Sequence, residues 1–349
     1  MGTLSADDAT AAAGTSYLYW FLPGLALQFA LVAMGSALRG TGIVQPTMIV
    51  QAVTVLLNIL LAPVLIAGWG TGRPLGVAGA ALASTISIGI GVVVLALYFL
   101  KLEKYVSLDA DQWTPRPGTW ARILRIGLPA GGEFGLMFIY MALIFLIIRP
   151  FGSAAQAGFG VGMRVMQSIF LPVMAIAFAA APIVGQNFGA RHPQRVRETF
   201  RMAAILCAAV MLVLTLVCQW RADWFIRWFT ADPAVVEVGA QYLRIISWNF
   251  IATGVIFTCS STFQGLGNTW PSLLSSASRL LTFALPAFWL SRQAGFKLEH
   301  LWYLSVATVS LQMLTSLGLL RGQFRTHLSN QEPESDFTAA DPASGPARP

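Results

Sequence analysis

Long apolar runs alternate with short polar stretches from one end of the chain to the other. Nine such runs lie near residues 16–38, 46–67, 76–100, 122–148, 155–184, 201–220, 238–263, 271–291 and 300–320. Each matches the ~20 residues that an α-helix needs to cross a bilayer, or exceeds it. They are apolar all round rather than striped, as expected of helices surrounded by lipid or by one another. Lipid offers the backbone no hydrogen-bond partner, so each run must close as a helix. The fold class is therefore all-α, a polytopic transmembrane bundle of nine predicted helices.

Part of this pattern occurs twice. A gapless shift of 225 residues lays Tyr17–Leu65 on Tyr242–Leu290. Ser36 meets Ser261, and Gly40, Gly42 and Pro46 meet Gly265, Gly267 and Pro271. The shared G-x-G-x-x-x-P ends one apolar helix and starts the next with Pro in its first turn. A duplicated pair of long apolar helices points to a membrane protein built from repeats. Small residues at four-residue spacing, Ala154, Gly158 and Gly162 and also Gly76, Ala80 and Ser84, read as surfaces for close helix packing. Trp220, Trp224 and Trp228 read as an interfacial anchor where the sixth run ends.

Composition agrees with this reading. The chain has 349 residues, 56% of them hydrophobic and 11% charged, with a mean hydropathy of +0.67. A soluble domain carries about 25% charged residues. The three cysteines, Cys207, Cys218 and Cys259, lie in apolar runs without ligand spacing, so no metal site is expected. The net charge of +7 resides in loops between spans, which marks topology and not a nucleic-acid surface. The chain opens without a signal-peptide or myristoylation pattern.

Basic residues set the orientation. Arg39, then Lys101 to Arg125, then Arg191 to Arg201, then Arg321 and Arg325 fall on one side, which the positive-inside rule makes cytoplasmic. The C-terminus is then inside, in a bacterial inner membrane. Six crossings separate the repeat copies, so they share one orientation. The second copy has three spans ahead of it; the counterpart of those spans, about 100 residues, is missing before the first. The chain reads as a 3 + 6 form of a 6 + 6 protein. Residues 1–119 are a three-helix lobe with a linker, 120–325 a six-helix lobe, and 326–349 a disordered tail.

Few charged residues lie inside the spans. Glu133 follows Gly-Leu-Pro-Ala-Gly-Gly in the fourth. A carboxylate there costs several kcal/mol, and uptake of a proton or cation cancels that cost, so it is a candidate ion-coupling group. The competing readings are a helix-end Glu that reaches the interface and a structural acid paired with a buried arginine. Arg164 and Arg279 lie inside the fifth and eighth spans, and either is a possible partner for Glu133 or a substrate contact. Tyr140 shares a face with Glu133 at a spacing of seven, and Asn249, Thr253 and Ser260 fall on one stripe of the seventh span. These positions suit the wall of a polar cavity, and interhelix hydrogen bonding accounts for the hydroxyls equally well. His192, His300 and His327 are far apart, and no Walker-type phosphate loop occurs, so neither enzyme chemistry nor an ATP-driven pump is expected.

Four passages resemble the multidrug and toxic compound extrusion (MATE) family. They are Leu38-Arg39-Gly40-Thr41-Gly42 with Pro46-Thr47-Met48, Leu75 to Ala81, Gly127-Leu128-Pro129, and Val184-Gly185-Gln186-Asn187-Phe188-Gly189-Ala190, in the family's order. The resemblance covers residues 16–325. It implies two six-helix lobes around a cavity that opens alternately to the two faces, and export of cationic or amphipathic compounds driven by H⁺ or Na⁺. It also implies an essential acid on the family's seventh helix, where Glu133 stands, often with an Asp on the tenth. No acid stands near Thr253, which departs from that pattern. Three functions follow as expectations: a secondary exporter, a membrane-inserted remnant that does not transport, and, least favoured, a membrane enzyme such as a lipid transferase.

Overall fold

A computed structural model describes residues 8–69, 72–101, 114 and 116–327; the expected tail from residue 328 lies outside them. The chain divides into two compact units, Met1–Pro117 and Gly118–Pro349. Among the described residues, eight helices are long and apolar enough to cross a membrane, and a bent pair passes the same test as a unit, giving up to nine.

The first unit holds α1 (Asp8–Thr41), α2 (Gln45–Ala67) and α3 (Gly76–Lys101). Helix α3 packs closely against α2 through glycines. A Cβ on Gly79 would stand 2.5 Å from the Leu65 carbonyl oxygen, and one on Gly91 would stand 2.4 Å from the Thr54 methyl. Leu31, Leu38, Val50, Leu95 and Phe99 close the small core.

The second unit holds α4 (Pro117–Ile148), α5 (Ser153–Gly189), α6 (Pro193–Arg227), α7 (Pro233–Ile246), α8 (Asn249–Gly265), α9 (Trp270–Leu290) and α10 (Leu298–His327). Gly158 and Gly162 do what their spacing predicts: a Cβ would meet Val238 at 2.9 Å and the Tyr242 ring at 2.4 Å, so α5 and α7 touch nearly backbone to backbone. Phe159, Tyr242 and Trp302 then form a buried aromatic cluster with centroids 4.8–5.6 Å apart.

The seventh predicted span, 238–263, is two helices and not one. Helices α7 and α8 meet at 59° across Ser247–Trp248. Carbonyls freed at a break must find partners away from water. Thr215 of α6 donates to the Ser247 carbonyl at 3.0 Å, and Gln219 donates to the Arg244 carbonyl at 2.7 Å and the Ser247 hydroxyl at 2.8 Å. Asp232 caps the start of α7 by accepting from the Ala234 N–H at 3.0 Å. Helix α6 also outruns its predicted end: it continues to Arg227 past a non-helical residue, Arg221, next to the expected terminus.

The repeat is visible in backbone geometry. Gly42 and Gly267 are both left-handed. Each donates to the carbonyl three residues back, Arg39 or Gln264, while Ile43 and Asn268 donate to Leu38 and Phe263 five back. This is the Schellman arrangement that frees a chain to leave a helix. Pro46 and Pro271 then sit in the first turns of α2 and α9.

Candidate functional site

Helix α4 lies along α9 with residues seven apart, that is, two turns. Thr269 at the start of α9 donates to the Ile126 carbonyl at 2.6 Å. Gly132 faces Leu273, where an added Cβ would stand 3.1 Å from a methyl, while Gly131 and Gly135 border open space. Glu133 comes next, and Tyr140 two turns beyond it.

Glu133 is half-buried and held by hydroxyls. Ser260 of α8 and Ser272 of α9 donate to its Oε2 at 2.9 and 2.7 Å, and Ser276 donates to its Oε1 at 3.3 Å. Ser260 and Ser272 are themselves 2.8 Å apart. Behind them, Gln312 of α10 donates to Ser276 at 3.2 Å, and Ser275 meets Ser316 at 2.6 Å. The Gln312 side-chain Oε1 is buried without a partner. Hydrogen bonds to an ionised acceptor contribute roughly 1.5–3 kcal/mol each, so this cradle offsets much of the cost of placing a carboxylate in a span.

The expected ion pairs are absent. Neither Arg164 nor Arg279 approaches Glu133 within 4 Å; among the described residues the one ion pair of this kind is Asp223 with Arg227. Arg164 is exposed on α5. Arg279 instead lies over the Tyr140 ring, 4.3 Å from its centroid. The reason is helical phase. On α9, Ser272 and Ser276 precede Arg279 by seven and three residues, so the serines reach Glu133 and the arginine reaches the residue two turns further along α4. Tyr140 also meets the Ser305 hydroxyl of α10 at 2.8 Å and packs on Phe283 at 4.6 Å.

The proposed stripe on the seventh span separates. Ser260 joins Glu133, but Asn249 is buried at the α7–α8 break with its side-chain oxygen unpartnered, and Thr253 makes no side-chain hydrogen bond. Ser272, Ser276 and Gln312 were not anticipated. The repeat carried a signal for two of them: the first copy has Thr47 and Gln51 at the positions aligned with Ser272 and Ser276, and Thr54 at that of Arg279. No group of three or more metal-ligating side chains occurs among the described residues.

The MatE family model matches residues 1–64 and 129–289, more than half of the chain. A probable multidrug resistance protein, NorM, from Thermotoga maritima is 30% identical over 77% of this chain and 58% of its own length. An FAD transporter from Shewanella oneidensis is 24% identical over 77% of this chain and 59% of its own. The multidrug export protein MepA of Staphylococcus aureus is 28% identical over 68% and 53%. The chain thus spans less than two thirds of the length of these curated relatives. A crystal structure of MATE in the bent conformation superposes with a TM-score of 0.86 at 21% identity, covering 95% of this chain and 73% of that one. A MOP superfamily transporter from Pyrococcus furiosus gives 0.86 at 22%, covering 93% and 72%. On this evidence the chain belongs to the MatE family and is an integral membrane protein with the MATE fold.

Proposed function

We propose that the chain serves the export of amphipathic small molecules in exchange for a coupling ion, with Glu133 as the coupling acid of the second unit. Relatives named as multidrug export and resistance proteins support the activity. The observation that carries the assignment to Glu133 is its setting: a membrane carboxylate bound by three serine hydroxyls and by no cation. Its charge is therefore free to change when an ion arrives.

Glu133 Oε2, Ser260 Oγ and Ser272 Oγ form a triangle with edges of 2.7–2.9 Å. The triangle joins α4 to α8 and α9, so a change in the charge of Glu133 acts on all three helices, and a gradient experiment distinguishes H⁺ from Na⁺ as the coupling ion. The distribution of basic loops supports a cytoplasmic side for the Arg191–Arg201 segment and the C-terminus, in a bacterial inner membrane.

Proteoliposomes loaded with a fluorescent amphiphile test this. A pH gradient drives efflux in the wild type, and Glu133→Gln, which keeps the shape and removes the titration, abolishes it at unchanged protein amount. The competing reading, a membrane protein that inserts without transporting, requires equal efflux from both. A Na⁺ gradient that drives efflux while a pH gradient does not would transfer the coupling role to Na⁺.

A further inference from the structure

We infer that Arg279 and Tyr140 form a binding subsite for the acidic group of an aromatic organic anion. Arg279 lies nine residues into α9 and eleven from its end, about 14 Å or more along the axis from either terminus. That is beyond the reach of lipid headgroups at the interface. Its guanidinium makes no hydrogen bond and no ion pair among the described residues, and its Nε is buried without a partner. A charged group in such a place is costly unless paired.

Among the described residues no acid inside the spans pairs with it. The chain has no Asp or Glu between residues 12 and 100. In the second unit Glu198, Asp223, Glu237 and Glu299 all lie within two turns of a helix end. Glu133 is the exception, and three serines occupy it. Among these spans the surplus is positive, and an anion is the partner that would satisfy the guanidinium.

The surroundings define which anion. The Nε–H is buried, and the two Nη groups, which make no hydrogen bond, present the end-on fork that matches a carboxylate or sulfonate. The half-buried Tyr140 ring under the guanidinium offers a surface to an aromatic body, and the fully buried Phe283 packs against it at 4.6 Å. The inference names a substrate class for the export reading and rests on that reading only for transport.

The test is equilibrium binding to the full chain in detergent with no ion gradient. The probes are radiolabelled 2-naphthoate and the cationic 2-naphthylmethyl-trimethylammonium. The wild type is expected to bind naphthoate. Arg279→Gln should weaken naphthoate at least tenfold and leave the cation unchanged. If Arg279→Gln lacks folded protein, Arg279→Lys decides, since it keeps the charge and loses the fork; the same selective weakening is expected. Naphthoate binding that is absent in the wild type, unchanged in the variants, or weakened equally with the cation overturns the subsite. Because no gradient is used, that failure leaves the coupling role of Glu133 standing, and loss of coupled efflux leaves the binding result readable.

Discussion

Gly42 and Gly267, 225 residues apart, end their helices in the same left-handed conformation, with φ of 87° and 76°. An alanine in that region costs about 1–2 kcal/mol. Gly42→Ala and Gly267→Ala should each lower the thermal midpoint in detergent. The neighbouring pair should behave differently. Gly40 borders open space, whereas a Cβ on Gly265 would stand 2.6 Å from the Ala181 carbonyl oxygen. Gly40→Ala is therefore expected to be neutral or stabilising by about 0.5–1 kcal/mol, while Gly265→Ala destabilises. Equal effects at the aligned positions 40 and 265 would refute this account.

Ser272 touches both Glu133 and Ser260. Removing one hydrogen bond to an ionised group costs about 1.5–3 kcal/mol. Ser272→Ala should slow pH-driven efflux about tenfold or more, and Ser272→Thr should retain most of it. Initial rates in proteoliposomes decide the matter. Ser310→Ala, whose hydroxyl is exposed and bonds only its own helix at Val306, serves as the control with no expected change.

Gln219 donates to both the Arg244 carbonyl and the Ser247 hydroxyl. Gln219→Leu removes both donations, while the Ser247 hydroxyl, 2.8 Å from the Arg244 carbonyl, remains as that carbonyl's donor. The loss is that of ordinary hydrogen bonds, about 0.5–1.5 kcal/mol each, so folded yield and thermal midpoint should both fall modestly. Thr215→Val tests the companion bond and should act in the same direction. Unaltered stability in both variants would show that the break needs no side-chain cap.

The native cysteines Cys207, Cys218 and Cys259 are all buried, so an introduced cysteine can be read against them. His192→Cys, at the loop between α5 and α6, should resist an impermeant thiol reagent added outside intact cells and react after permeabilisation. Labelling from outside would invert the orientation.

Much of the architecture was legible because apolar run length and glycine placement are direct physical demands of a bilayer. Gly158, Gly162 and the two Gly-x-Gly turns do what their spacing implies. The bend at Ser247–Trp248 was not legible. Neither Gly nor Pro marks it, and its support comes from Thr215 and Gln219 on another helix. At the site, Glu133 announced itself by the cost of its charge. Its serine partners did not, since small hydroxylated residues in a span read equally well as packing. Arg279 was visible, but its choice of Tyr140 over Glu133 depends on the phase of α9 against α4, which periodicity within one helix does not contain.

Helix α6 leaves the ribosome before α7 and α8. With 14 residues, α7 is too short to cross a bilayer alone, and the Arg244 and Ser247 carbonyls at its junction with α8 each take a second donor from another helix. Those donors, Gln219 and Thr215, have by then already entered the membrane on the preceding helix. Vectorial synthesis thus delivers the cap before the groups that need it. A circular permutant with α7 and α8 ahead of α6 would expose that junction to lipid during insertion, although its finished sequence contains every residue of the original.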